Sequence, residues 1–111
     1  MSTPQKKLIV YETQNGKLPF KEWILDLKDQ KARTVIWTRL DRFERYGHSG
    51  ESRSIDEDIF ELKIRFGPGY RVYYAEEGRT VILLLMGGDK STQKRDIQKA
   101  LEYWKEYRTR I

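Results

Sequence analysis

With 111 residues, 35% of them charged and 38% hydrophobic, the chain is long enough for one domain with one modest core, and it has too much apolar content for a disordered polymer. A formal net charge of +5 favours a polyanionic partner, nucleic acid or an acidic protein. The absence of cysteine excludes a disulfide scaffold and Cys-ligated metal; the opening MSTPQKKLIVYET lacks the apolar core of a signal peptide, and the longest apolar run, Val81 to Met86, is too short for a bilayer, so a soluble cytoplasmic protein with residues 1–111 as one domain is expected.

The first predicted element is a strand, LIVYET from Leu8 to Thr13, rich in β-branched and aromatic residues and stopped by Gln14-Asn15-Gly16. Pro19 suits the first turn of a helix, and Phe20, Trp23, Ile24 and Leu27 follow at i, i+3, i+4 and i+7. A second helix is predicted from near Asp29 to Gly47, with Ala32, Val35, Ile36, Leu40, Phe43 and Tyr46 on one arc. Arg39 falls inside that arc, as a snorkelling or ion-paired stem or as a contact for a partner. The polar, Gly/Ser-rich stretch GHSGESRSIDED, residues 47–58, reads as a loop.

A hairpin follows from Glu61 to Tyr74, its turn at Phe66-Gly67-Pro68-Gly69, and EEGR at 76–79 turns the chain into an apolar strand from Thr80 to Met86. That uninterrupted apolarity asks for cover on both faces. Gly87-Gly88 reads as a turn, Asp89, Ser91 and Thr92 as possible caps, and a final helix carries Ile97, Ala100, Leu101, Trp104 and Ile111 in one stripe. The order β-α-α-β-β-β-α, with short turns between consecutive strands, implies an α+β fold: a small, mainly antiparallel sheet with helices packed on it.

Because successive strand side chains alternate, Leu62, Ile64 and Phe66 share one face of the hairpin while Lys63, Arg65, Arg71 and Tyr73 can share the other. Three like charges close together repel, which calls for an anion to offset them; the plainer alternative is a solvated face whose cations pair with Glu61 or with water. A second basic cluster, Lys90, Lys94 and Arg95, lies where the free N–H groups of the last helix could receive phosphate, although ordinary capping also accounts for it and P-loop spacing is absent. His48 is a loop residue without a catalytic partner. Asp56, Glu57 and Asp58 are consecutive rather than convergent, a solvated acidic turn rather than a metal site, so no metal is expected. Trp23, Trp37 and Trp104 fit core or rim positions better than base-stacking platforms.

FELKIRFGPGYRVYY, an apolar strand, and then GGDKSTQKRDIQKALEYW together resemble the RelE/ParE toxin superfamily, particularly its HigB-like, phage-derived addiction-module killer branch, over nearly the whole chain. The resemblance implies a RelE-like fold, a small basic toxin without cofactor, and a cognate antitoxin, often a helix-turn-helix protein, that masks it. It further implies a ribosome-dependent endoribonuclease that cuts mRNA in the A site. Lys63, Arg65 and Arg71 match the family's strand cations, with Arg65 and Arg71 as stabilisers of phosphate charge and Lys63 as the possible base. Lys90 lies near another family cation, and Tyr73, Lys94 and Arg95 would join it in contacting RNA. Tyr103 and Tyr107 come too late in the last helix to match the tyrosine of some members, and His48 does not match the catalytic histidines of others. The ParE side of the superfamily implies instead a non-enzymatic toxin that binds DNA gyrase, and a remnant binding only RNA or an antitoxin is a third reading.

Overall fold

The computed structural model describes residues 5–78 and 80–110. Its elements are β1 (Lys7–Val10), α1 (Pro19–Asp26), α2 (Gln30–Tyr46), β2 (Ser52–Ser54), β3 (Ile59–Ile64), β4 (Tyr70–Glu77), β5 (Val81–Asp89), a 3₁₀ turn (Lys90–Thr92) and α3 (Gln93–Arg108). Arg79 of the predicted turn and Ile111 of the predicted stripe lie outside the described residues.

Local chemistry explains the helix ends. Pro19 occupies the first turn of α1, where its missing N–H costs nothing. Asp29 accepts from the Lys31 and Ala32 amides at 3.0 and 3.2 Å to open α2, and Gly47 closes it in the left-handed conformation at φ 81°. Asp89 accepts from Ser91 N at 2.8 Å and opens the 3₁₀ turn, from which α3 continues.

The strands form one sheet in the order β1-β5-β4-β3-β2. Neighbours from β5 to β2 are antiparallel, whereas β1 runs parallel to β5. The architecture is therefore α+β as expected, with a mixed sheet and one strand more than the sequence pattern suggested. The added strand is β2, inside the stretch read as loop: Ser52, Arg53 and Ser54 pair with Leu62, Glu61 and Phe60. All three are exposed, so no apolar alternation could announce this edge strand.

Gly87 and Gly88 are a second correction, since both continue β5 rather than turn the chain. A Cβ on Gly87 would overlap the Trp23 ring, and one on Gly88 the Asp96 carboxylate. The missing side chains admit α1 on one face of the sheet and the start of α3 on the other.

Both faces are covered, but unequally. Phe20 and Ile24 of α1 and Ala32, Ile36, Leu40 and Phe43 of α2 pack with Leu62, Ile64, Val72, Tyr74, Ile82 and Leu84 on the first face. On the second, Ala100 of α3, flanked by Ile97, Leu101, Trp104 and Tyr107, covers Ile59, Tyr73, Ala75, Leu83 and Leu85. A register shift between Tyr73 and Tyr74 makes Leu85 the extra residue of β5, so that Leu85 and Met86 both meet the second face. Arg39 takes the snorkelling role: its guanidinium donates to Ser49 O at 3.1 Å and Lys63 O at 3.4 Å, tying α2 to the edge of the sheet.

Candidate functional site

Strand pairing lays out the site in two rows across the second face. In the first, Arg53 of β2, Glu61 of β3 and Tyr73 of β4 stand opposite one another; in the second, Lys63 of β3, Arg71 of β4 and Gly88 of β5 do so. α3 starts over Gly88 and runs away across the apolar part of the face, leaving the other end open. The opening is a cavity of about 370 Å³ lined by Glu51, Ser52, Arg53, Glu61, Lys63, Arg71 and Gln93.

Arg71 forms one wall. Its side chain is 6% exposed, Nη1 donates to Gly69 O at 2.8 Å, and Nε lies 3.7 Å from Glu61 Oε2 without a hydrogen bond of its own. A buried guanidinium so incompletely satisfied is costly by itself and is suited to receive an anion. Lys63, directly opposite, adds a second cation to the same cavity.

Glu61 is the floor. Its carboxylate accepts from Arg53 Nε on Oε1 and from Gln93 Nε2 on Oε2, both at 2.8 Å. Burial opposes its ionisation most strongly, but the Arg53 and Gln93 bonds and the Arg53 charge outweigh burial and hold the carboxyl below the usual glutamate range. The Tyr73 hydroxyl is directed at this carboxylate without a well-formed hydrogen bond, and burial, then the charge of Glu61, pushes its pKa well up.

Of the predicted site residues, Lys63 and Arg71 converge on this cavity. Arg65 does not: it extends beyond β3 and makes a forked pair with Glu51 at 2.7 and 2.8 Å, with 70% of its side chain exposed. Tyr73 is a correction as a surface RNA contact, because α3 covers it completely. Lys90, Lys94 and Arg95 are exposed on the 3₁₀ turn and the outer side of α3, outside the cavity lining. The carboxylates of Asp89 and Asp96 already occupy the turn that leads into α3, which disfavours phosphate there.

Sequence reasoning missed Arg53 and Gln93, and it gave Glu61 only as an ion-pair partner of the strand cations. Glu61 was visible as the one charged residue on the polar side of the hairpin that is an anion among cations; Arg53 and Gln93 carried no signal, one lying in a polar edge segment and the other 32 residues from its partner. No group of three or more His, Asp or Glu among the described residues is placed to hold a metal ion, and no described helix is long and apolar enough to cross a membrane.

The family model described as Phage derived protein Gp49-like (DUF891) matches residues 22–105, a span that includes every residue lining the cavity. The chain is also 42% identical over 83 residues to an uncharacterized protein of Haemophilus influenzae, an alignment covering 75% of this chain and 83% of that relative.

Proposed function

The chain belongs to the phage-derived Gp49-like family, which is related to the RelE/HigB toxin type, and from that premise we propose that it is the toxin of a type II toxin–antitoxin pair, cleaving messenger RNA on the ribosome. The observation that carries this reading is Arg71: a buried, anchored guanidinium with an unsatisfied Nε, opening into a cavity that also holds Lys63 and Arg53.

RNA cleavage by the ribose 2′-oxygen needs a group to take its proton, charge to stabilise the phosphorane-like transition state, and a proton for the leaving 5′-oxygen. Arg71 supplies the second requirement, since a guanidinium stays charged and its planar fork fits phosphate oxygens. Lys63 stands across from it to act on one of the two transferred protons. Arg65, Lys90, Lys94 and Arg95, exposed around the cavity's surroundings, hold RNA backbone by charge and contribute positioning rather than chemistry. The antitoxin in this reading presents an acidic surface to the cationic mouth, where complementary charge accelerates association in a salt-dependent way.

The test is to map mRNA 5′ ends after adding purified protein to translating ribosomes and, separately, to the same RNA without ribosomes. New ends should appear with ribosomes and hardly at all on naked RNA, because the ribosome orients the reacting groups. Comparable cleavage of free RNA, or arrested translation without new ends, would sink this reading; DNA supercoiling by gyrase is the assay to run in the latter case.

A further inference from the structure

Glu61 is out of place in a cavity meant only for an anion. A carboxylate on its floor repels phosphate, and a protein selecting for tight phosphate binding alone would do better with a neutral donor there. Service as a counter-ion to Arg71 does not account for it either. Its two good hydrogen bonds come from Arg53 and from the neutral Gln93, while Arg71 Nε stays at 3.7 Å, within ion-pair range but without a hydrogen bond to it. A dedicated partner would make the forked pair that Arg65 and Glu51 make nearby.

Resting on the ribonuclease reading above, we propose that Glu61 is the catalytic base that accepts the proton of the attacking ribose 2′-hydroxyl, with Lys63 as the acid that protonates the leaving 5′-oxygen. An ionised carboxylate has about four lone-pair sites, and Glu61 uses two. One of those is held by Arg53, whose side chain is 61% exposed and free to turn toward an incoming phosphate. That movement frees Oε1. It also raises the proton affinity of Glu61 as substrate arrives, because a stabilising cation leaves while negative charge enters. A carboxylate comes ready to accept a proton, whereas an amine must first lose one.

In the step itself the 2′-hydroxyl proton passes to Glu61 and the 2′-oxygen forms its bond to phosphorus. The bond from phosphorus to the 5′-oxygen breaks, and that oxygen takes a proton from the Lys63 ammonium. The products are a 2′,3′-cyclic phosphate and a 5′-hydroxyl; Glu61 returns its proton and Lys63 regains one through solvent, so no other reactant is needed. Arg53 from β2, Gln93 from α3 and Tyr73 from β4 act on the titration of Glu61, and the charged groups that also face it are Arg71 from β4 and Lys63 along its own strand.

The experiment measures single-turnover cleavage on translating ribosomes against pH for the wild-type chain, Glu61→Gln and Glu61→Asp, with ribosome affinity and thermal midpoint recorded for each. Glu61→Gln keeps one acceptor oxygen for Arg53, leaves Gln93 to turn its own amide oxygen toward the new NH2, and should lose about 10²- to 10⁴-fold in rate, without weaker ribosome binding. The acid limb of the wild-type pH profile should be absent from it and retained, at lower rate, in Glu61→Asp. An mRNA with a 5′-thio leaving group at the cleaved linkage should rescue Lys63→Ala and not Glu61→Gln. Should Glu61→Gln fail to fold, Glu61→Asp and the thio substrate decide alone: an Asp variant with wild-type rate and profile overturns the assignment. So does a folded Glu61→Gln that cleaves at the wild-type rate or keeps the acid limb. If the wild-type chain itself makes no new RNA ends on ribosomes, the ribonuclease reading falls and this assignment with it.

Discussion

Arg71 and Tyr73 leave the same strand on the same side, two residues apart, and finish in opposite circumstances. Tyr73 lies under α3 in an apolar cluster with Ile59, Ala75 and Leu83; Arg71 lies just past the start of that helix, against an open cavity with Lys63, Arg53 and Glu61. Strand alternation assigns a residue to a face, but the reach of the covering helix decides whether that part of the face is core or site. Gly88 sets the border, because its lack of a side chain lets the first turn of α3 settle directly on β5.

The largest effect should come from breaking the covered end. Tyr73→Ala removes a fully buried ring and should cost about 3 to 5 kcal/mol of stability, read as a lowered denaturation midpoint. Tyr73→Phe should cost little, since the hydroxyl it removes has no hydrogen-bond partner. A large loss in Tyr73→Phe would mean that the hydroxyl is satisfied in solution and that this end belongs to the polar network after all.

At the open end, Arg71→Ala should lower single-turnover cleavage by about 10²- to 10³-fold, as expected for one donor aimed at developing charge, with ribosome affinity nearly unchanged. Arg71→Lys should recover only part of the rate, because it restores charge without the fork. If Arg71→Ala is as toxic to cells as the wild type at equal expression, the open end is not a ribonuclease site.

A smaller effect belongs to the border. Burial raises the pKa of Asp96, so its folded-state value lies above the unfolded one and its ionisation detracts from stability above the folded pKa. Replacing it with Asn keeps an acceptor for Thr92 and removes that penalty. Asp96→Asn should therefore raise the thermal midpoint at pH 7, and the advantage should shrink as pH falls through the folded pKa toward the unfolded value. An advantage that grows on acidification would show the opposite shift.

The smallest effect sharpens the contrast between buried and exposed cations. Arg65 and Glu51 pair in solvent, so Arg65→Ala should leave the thermal midpoint almost unmoved, and any change should vanish at high salt. Its effect on function should appear as weaker ribosome binding with the cleavage rate of bound RNA preserved; a loss of that rate equal to the loss in Arg71→Ala would place Arg65 at the reacting phosphate.

The elements were legible where burial imposes a period. Ala32, Ile36, Leu40 and Phe43 recur at helical spacing because one side of α2 must meet the sheet, and Leu62, Ile64, Val72 and Tyr74 alternate because one face of the hairpin must meet α2. Arg71 was legible as well, by its position in the hairpin and its Gly-Tyr-Arg setting. β2 was not, because an exposed edge strand is held by backbone pairing, and Ser52–Ser54 needs no apolar residue to make it. Gly87 and Gly88 misled for a related reason: glycine permits a turn, and it equally permits close packing of Trp23 and Asp96 against a strand.

By itself, then, the sequence determined the helices, the hairpin, the basic character and the common face of Lys63 and Arg71, all of which follow from interactions between residues near one another along the chain. Only the tertiary structure decided which cations converge and what stands among them. Glu61 meets Arg53 across a strand pair and Gln93 across 32 residues of chain, while Tyr73 is withdrawn from solvent by a helix that begins twenty residues later. Those outcomes depend on where α3 crosses the sheet, and that crossing is set by packing volume and by the bare backbone at Gly88, neither of which has a period to read.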